Sequence, residues 1–264
     1  DITTGNASSP YISKIDAVEI LGTMLGGYNV EPLIRCLEIE ELAETASHVL
    51  GRTLLIFDAF NEIFELSKKN KYAKKVIEEW ADAKWFTEKE DIKDQIKLTV
   101  FKVSGEINTD DLSPAPDAWS GPDIPLHALA MFKMPRTGLD DPLGTIEKLK
   151  EKGNPLVFVG DVVGTGSSRK SATNSVLWHM GDEIPHIPNK KEGGYCFGGK
   201  IAPIFFNTLE DSGAFPVEMD VSKMLMGQEI ILEPLKGKVI DANTKETLSE
   251  FKLKTDVLLD EVRA

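Results

Sequence analysis

The stretch Gly160-Asp161-Val162-Val163-Gly164-Thr165-Gly166-Ser167-Ser168-Arg169-Lys170-Ser171 constrains this chain more than any other. The apolar run Leu156-Val157-Phe158-Val159 before it reads as a buried strand, bounded by Pro155 and Gly160. A glycine-spaced turn follows at Gly164-Thr165-Gly166, then Ser167-Ser168-Arg169, and Ala172 to Met180 continues as a helix. A strand, a glycine turn and a helix start gather backbone N–H groups and hydroxyls at one outward-facing point. Unpaired N–H groups and the helix dipole favour an anion at such a point. The planar guanidinium of Arg169 suits a carboxylate or phosphate. Plain helix capping by a serine is the competing reading of the same residues. No Gly-Lys-Ser/Thr closes the turn, so it is not a Walker A loop. The spacing of Gly160, Gly164 and Gly166 is not that of a dinucleotide fingerprint either.

The rest of the chain divides into two kinds of sequence. From Ser13 to Trp85 the apolar residues recur at helical spacing. Ile15, Val18, Leu21 and Met24–Leu25 mark one helix, stopped at Gly26-Gly27, and Val30 to Leu37 a second, with Pro32 in its first turn. Glu40–Leu50, Thr53–Lys69 and Tyr72–Trp85 continue the series. Short amphipathic helices joined by brief turns imply stacked antiparallel pairs, as in an α-solenoid or small bundle. Trp80, Trp85 and Phe86 read as core rather than as a partner surface. Lys68, Lys69, Lys71, Lys74 and Lys75, with acidic residues on both sides, read as a solvated face.

From Ile96 the pattern becomes β. Lys97 to Gly105 alternates as a strand, and the charged run Glu88–Lys97 holds the boundary. The expected architecture is therefore multidomain, α and α/β: a helical domain over 1–94 and a mixed β/α domain over 95–264. Within the second, Asn108 to Pro116 is a polar loop whose carboxylates suit either metal or base chemistry or Asx turns. Pro122–Lys133 is partly apolar, and Leu143–Lys152 reads as a helix. Lys190–Lys200 reads as a glycine-rich loop and Ile201–Phe206 as a buried strand. Phe215–Met219, Met226–Pro234, Gly237–Ile240 and Thr247–Leu253 read as further strands. His179 and His186 read as packing or surface histidines rather than a metal pair, and Cys196 as a small buried residue.

A net charge of −13 argues against a broad electrostatic nucleic-acid footprint. No apolar run reaches the length of a membrane span and no signal peptide opens the chain. Cys36 and Cys196 form no CxxC pair and no visible metal set, which favours a reducing, cytoplasmic setting. The chain begins with Asp1 and stops at Ala264 without a tail, as a piece of a longer protein would.

Three motifs carry a resemblance: Asn108-Thr109-Asp110-Asp111-Leu112-Ser113-Pro114-Ala115-Pro116-Asp117-Ala118-Trp119, Gly164 to Val176, and Gly198-Gly199-Lys200-Ile201-Ala202-Pro203-Ile204-Phe205-Phe206-Asn207-Thr208. With Leu21-Gly22-Thr23-Met24 and Gly26-Gly27-Tyr28-Asn29, they resemble the bacterial B-type aconitase family over nearly the whole chain. The resemblance implies a HEAT-like N-terminal domain followed by an aconitase swivel domain, and a hydro-lyase that interconverts citrate and isocitrate through cis-aconitate. It implies a [4Fe-4S] cluster in the full-length protein, with ligands beyond Ala264 and none in these residues. By motif match Ser167 is the proton acceptor, Ser168 and Arg169 contact substrate carboxylates, and Asp110 is an active-site hydrogen-bond partner. It further implies iron-dependent homodimerisation through the helical domain and mRNA binding by the cluster-free form. These residues alone are expected to be catalytically silent. One position departs: the family usually has an arginine after Asp-Ala-Trp-Ser that grips a substrate carboxylate, and here Gly121 follows Ser120. Either Arg136 compensates, or binding is altered, or the change is particular to this sequence.

Overall fold

The computed structural model describes residues 1–24, 27–53, 57–255 and 257–264. Leu25, Gly26, Leu54 and Leu55, which the periodicity places in or beside helices, lie outside the described residues. The chain forms two compact units, Asp1–Glu90 with the terminal Ala264, and Asp91–Arg263.

The first unit holds six helices among its described residues: α1 (Lys14–Thr23), α2 (Val30–Cys36), α3 (Ala43–Gly51), α4 (Phe57–Ser67), α5 (Lys71–Ala81) and α6 (Lys84–Thr87). Their starts follow from side chains that satisfy orphan N–H groups. Ser13 and Asp16 form a reciprocal capping box on α1, and the Asn70 side-chain Oδ1 accepts from Tyr72 and Ala73 N–H on α5. Val18, Leu33, Leu50, Ile63 and Val76 meet in one buried core, each fully enclosed. Trp80 lies against that core and its indole N–H bonds the carbonyls of Leu50 (2.9 Å) and Thr53 (3.0 Å), consistent with the core reading. The helix expected to run to Trp85 breaks instead at Ala83, whose φ of 51° turns the chain before α6. The lysine cluster is laced by carboxylates, Lys68 to Glu65 at 2.6 Å and Lys74 to Glu78 at 3.8 Å, all exposed.

The second unit is built on a mixed seven-stranded sheet. Its elements run β1 (Ile96–Asn108), α7 (Thr109–Leu112), α8 (Ile124–Ala128), α9 (Pro142–Lys150), β2 (Leu156–Thr165), α10 (Arg169–Met180), β3 (Asp182–Ile184), β4 (Ile187–Glu192), β5 (Tyr195–Ile201), α11 (Pro203–Glu210), β6 (Phe215–Glu218), β7 (Glu229–Glu233), β8 (Lys238–Asp241), β9 (Thr247–Glu250) and α12 (Leu258–Arg263). The sheet order is β6-β5-β2-β1-β7-β8-β9, and β3 with β4 forms a separate hairpin. Strands β1, β2, β5 and β6 pair in parallel; β7, β8 and β9 extend the sheet antiparallel from the other side of β1. Parallel strands need both faces covered. Phe101, Phe158, Val176 and Phe205 pack on the face that carries α9, α10 and α11, while Val100, Val157, Phe197, Phe251 and Leu258 pack on the other.

Two sequence expectations are corrected here. Lys190–Lys200 is not a loop: only Gly193-Gly194 turns, between β4 and β5. Gly198 and Gly199 lie inside β5, where a Cβ at Gly199 would stand 2.6 Å from the Asp161 carbonyl of the neighbouring β2. The glycines serve close strand approach rather than a turn. Ile201–Phe206 is likewise not a strand of its own, since Ile201 ends β5. Pro203 opens α11, and Phe205, Phe206 and Leu209 are buried while Ile204 is exposed, a helical rather than an alternating pattern.

Candidate functional site

In an open sheet with parallel strands, the crevice outside their carboxyl ends is where ligands collect, because the chain departs there into loops and helix starts. Here β1 and β2 are neighbours, and their last paired residues are Asn108 and Thr165. The two sequence motifs of greatest interest therefore begin side by side, the Asn108–Ser113 segment from β1 and the Gly166–Ser171 segment from β2.

Each segment is shaped by a local cause. On β1, the Asn108 side chain accepts from the N–H groups of Asp110 (2.7 Å) and Asp111 (3.0 Å), while the Asn108 N–H donates to Asp111 Oδ2 (2.9 Å). This capping box turns the chain at once into α7, so Asx chemistry accounts for Asn108 and Asp111. Asp111 also pairs with Arg136 at 3.2 Å, whose guanidinium binds the Ser104 carbonyl at 2.7 Å as well. Arg136 is thus engaged at the end of β1. Asp110 is exposed and its carboxylate has no partner among the described residues.

On β2 the strand runs further than its apolar core, to Thr165. Gly164 takes φ +80°, and a Cβ there would stand 2.2 Å from the ring of Phe205. Gly166 takes φ +113°, and a Cβ there would stand 2.4 Å from Thr109 Oγ1. Both glycines let the turn lie flat against its neighbours in a conformation other residues resist. Thr109, buried on α7, then accepts the Ser168 N–H at 3.2 Å and ties the two segments together.

Helix α10 begins at Arg169, three residues earlier than the apolar pattern showed. Ser168 occupies the N-cap position, yet its side chain makes no capping hydrogen bond. The plain-capping reading of these serines is therefore not what the structure holds. Ser167 is exposed, Ser168 and Arg169 are half-buried, and no side-chain hydrogen bond or ion pair engages any of the three among the described residues. A hydroxyl pair and a guanidinium thus stand unspent at the N-terminus of a 12-residue helix. The positive end of the helix dipole and the guanidinium together stabilise a carboxylate or a developing oxyanion placed before them.

Gly121 lies beyond a short 3-10 turn, Ala115–Ser120, with φ −54° and ψ −29°. No hydrogen bond joins it to the Gly166–Arg169 turn among the described residues. His179 is buried with Nε2 3.1 Å from the Ala128 carbonyl, while His186 sits in the β3–β4 hairpin at φ +64°, so the two are packing and turn residues. Among the described residues no cluster of His, Cys, Asp and Glu suits a metal ion. Iron–sulfur clusters are held by thiolates. Cys36 and Cys196 are both buried, and burial pushes the Cys196 thiol up to about 12. The residues present do not fit such a cluster.

The residues that sequence reasoning missed here are Thr109, Ser113, His127 and Ser171. Their types are unremarked in a loop, and only His127, alone in the apolar run Leu126-His127-Ala128-Leu129, carried a signal. No described helix is long and apolar enough to cross a membrane.

Comparison with known proteins agrees with the motifs. The family described as "Aconitate hydratase 2 N-terminus" matches residues 98–264, and "Aconitate B N-terminal domain" matches residues 1–86. Aconitate hydratase B of Escherichia coli (strain K12) is 58% identical over 271 residues, covering 100% of this chain and 31% of that protein. The protein of the same name from Pseudomonas aeruginosa is 57% identical over the same shares, and that from Helicobacter pylori (strain J99) is 52% identical over 97% of this chain and 30% of the relative. Among solved structures, 3-isopropylmalate dehydratase of Methanocaldococcus jannaschii matches with a TM-score of 0.45 and 21% identity, over 60% of this chain and 83% of that one. The chain spans 31% of the length of the Escherichia coli relative. With both matched regions in hand, and with motif and relative in accord, the chain belongs to the aconitate hydratase B family, of which it is an N-terminal portion.

Proposed function

We propose that this chain is the N-terminal part of an aconitate hydratase and supplies one wall of its active site. In this reading residues 1–94 are the end portion of a HEAT-like helical domain and 95–264 are the swivel domain. Citrate, cis-aconitate and isocitrate are the substrates, and the [4Fe-4S] cluster belongs to the remainder of the protein. The observation that carries the reading is the trio Ser167, Ser168 and Arg169, unengaged at the end of β2 and the start of α10.

Each residue then has one task. Elimination of water from citrate breaks a C–H and a C–O bond: Ser167 Oγ takes the proton from carbon, and the departing hydroxide would be received by the cluster and a proton donor outside these residues. A serine hydroxyl is a poor base, so its alkoxide must be favoured by its surroundings. The N-terminal N–H groups of α10 and the Arg169 guanidinium are the local sources of that stabilisation. Arg169 and the Ser168 hydroxyl hold a substrate carboxylate, which fixes the carbon against Ser167. Asp110, two residues past the end of the adjacent strand, is the acceptor for a hydrogen bond from the bound substrate. One departure marks the site in this reading: Gly121 offers no guanidinium, while Arg136 is engaged by Asp111 and the Ser104 carbonyl. A lost charge-assisted contact of that kind is worth about 1.5–3 kcal/mol of carboxylate binding.

The test is Ser167→Ala in the full-length protein. A positioned base contributes roughly 10²–10⁴-fold, so the variant should lose that much kcat while keeping citrate affinity. Turnover unchanged by the substitution would remove Ser167 from its role. Residues 1–264 given citrate, iron and sulfide should show no turnover, since the cluster ligands lie outside them in this reading.

A further inference from the structure

Behind the turn lies a buried chain of hydrogen bonds that the proposed chemistry does not use. His127, only 2% exposed, has Nε2 2.7 Å from Ser113 Oγ. Ser113 Oγ donates to Ser171 Oγ at 2.7 Å, and Ser171 Oγ donates to the Ser168 carbonyl at 3.2 Å. His127 Nε2 and Ser113 Oγ share one hydrogen bond, and the ring's tautomer sets which of the two donates. On its other side, His127 Nδ1 lies 2.8 Å from Ser120 Oγ and 3.2 Å from the Asp117 carbonyl, which anchor the ring in the 115–120 turn.

The chain ends on Ser168, which is gripped from both sides. The Ser168 N–H is held by Thr109, and its carbonyl receives Ser171 Oγ in addition to the helical Ala172 N–H at 3.0 Å. Ser168 precedes Arg169 and follows Ser167, so its two peptide planes set where both side chains point. Buried polar chains of this sort hold a single arrangement when every member is satisfied and cost stability when one is removed.

We propose that His127 is a positioning residue. Through Ser113 and Ser171 it fixes the Ser168 peptide and so aims Ser167 and Arg169 at a bound tricarboxylate. The inference rests on the functional reading of that trio given above. It predicts that breaking any link loosens the same object, so the links act as a unit rather than separately.

The experiment uses the full-length protein with its cluster and compares Ser113→Ala, Ser171→Ala, the double variant, His127→Leu and His127→Gln. Removing one neutral hydrogen bond changes an equilibrium by about fivefold. Each single alanine variant and His127→Leu should lower kcat/KM by that order, with the loss mainly in kcat. The double variant should fall no further than the worse single one. Glutamine, whose amide offers Ser113 either a donor or an acceptor, should recover most of the loss that leucine causes. Hydrogen exchange should rise in the peptide spanning residues 164–172 and not in the β7–β9 region. Additive losses, a glutamine variant no better than leucine, or unchanged exchange in 164–172 would overturn the proposal. Should Ser167→Ala abolish turnover while the network variants leave it intact, only this inference falls. Should Ser167→Ala itself keep full turnover, the functional reading falls and this inference with it.

Discussion

Gly166→Ala is the substitution in which the geometry of the turn can be read as a number. At φ +113° an alanine is strained, by about 1–3 kcal/mol. Its Cβ would meet Thr109 Oγ1 at 2.4 Å, and Thr109 is buried at 1% exposure, so it has little room to retreat. Forcing an extra carbon into such a place costs about 1–3 kcal/mol. If Thr109 does move, the Ser168 N–H loses its acceptor, a further ~0.5–1.5 kcal/mol. The terms overlap, and about 2–5 kcal/mol is the expected total. Gly138→Ala supplies the control, because Gly138 has φ +79° but nothing within 4 Å of a Cβ. It should cost only the strain, about 1–2 kcal/mol. Urea unfolding of the chain, followed by tryptophan fluorescence and circular dichroism, measures both. Adding Thr109→Ala removes the clashing oxygen, so the double variant should cost less than the sum of the two singles. A Gly166→Ala protein no less stable than Gly138→Ala, or strict additivity with Thr109→Ala, would refute the packing of the turn against α7.

Three further outcomes follow from the same coordinates. Gly121→Arg should cost about 0.5–1 kcal/mol of stability, because the backbone there is helical but a Cβ would press on the Ala118 carbonyl at 3.1 Å; in the full-length protein the added guanidinium should tighten tricarboxylate binding, measured as a lower KM. The Asp241 carboxylate accepts from the Thr244 N–H, the Gln228 amide and the Asn243 N–H, which holds it at about 2, below its ordinary 3.8. The folded state therefore favours the charged form, and the stability gap between wild type and Asp241→Asn should be full above the ordinary carboxylate value and close as pH falls toward 2, seen in urea midpoints against pH. Cys196, buried in β5 with its thiol raised to about 12, should resist alkylation at neutral pH in the native protein and react only when the second unit unfolds, as followed by mass spectrometry.

Much of the helical unit was legible because its apolar residues keep one period and its caps are local: Ser13 with Asp16 and Asn70 ahead of α5 mark starts that any reader of the chain can find. Strands β1, β2 and β6–β9 were legible for the same reason, as apolar runs between turn residues. The errors gathered where glycine and proline served tertiary contacts. Gly198 and Gly199 looked like a loop, since nothing local tells that the Asp161 carbonyl stands 2.6 Å from where a Cβ on Gly199 would be. The run after Lys200 looked like a strand, because Ile, Phe and Phe favour both states and only Pro203 pointed to a helix start. At the site, the Gly166–Arg169 turn was found from its spacing and chemistry. Its partner Thr109 and the buried His127 chain were not, because they come from residues separated by up to 59 positions and meet only through strand pairing. The absence of a capping bond at Ser168 is likewise a feature that no local pattern announces.

The central claim is that the Ser167 hydroxyl removes and returns the proton on the substrate carbon. The most direct measurement is incorporation of solvent deuterium into citrate and isocitrate by the full-length protein, wild type against Ser167→Ala, with tricarboxylate affinity measured alongside. The account predicts that exchange at carbon falls with turnover by roughly 10²-fold or more while the tricarboxylate still binds through Arg169. Exchange that continues at the wild-type rate in the Ser167→Ala protein would contradict it.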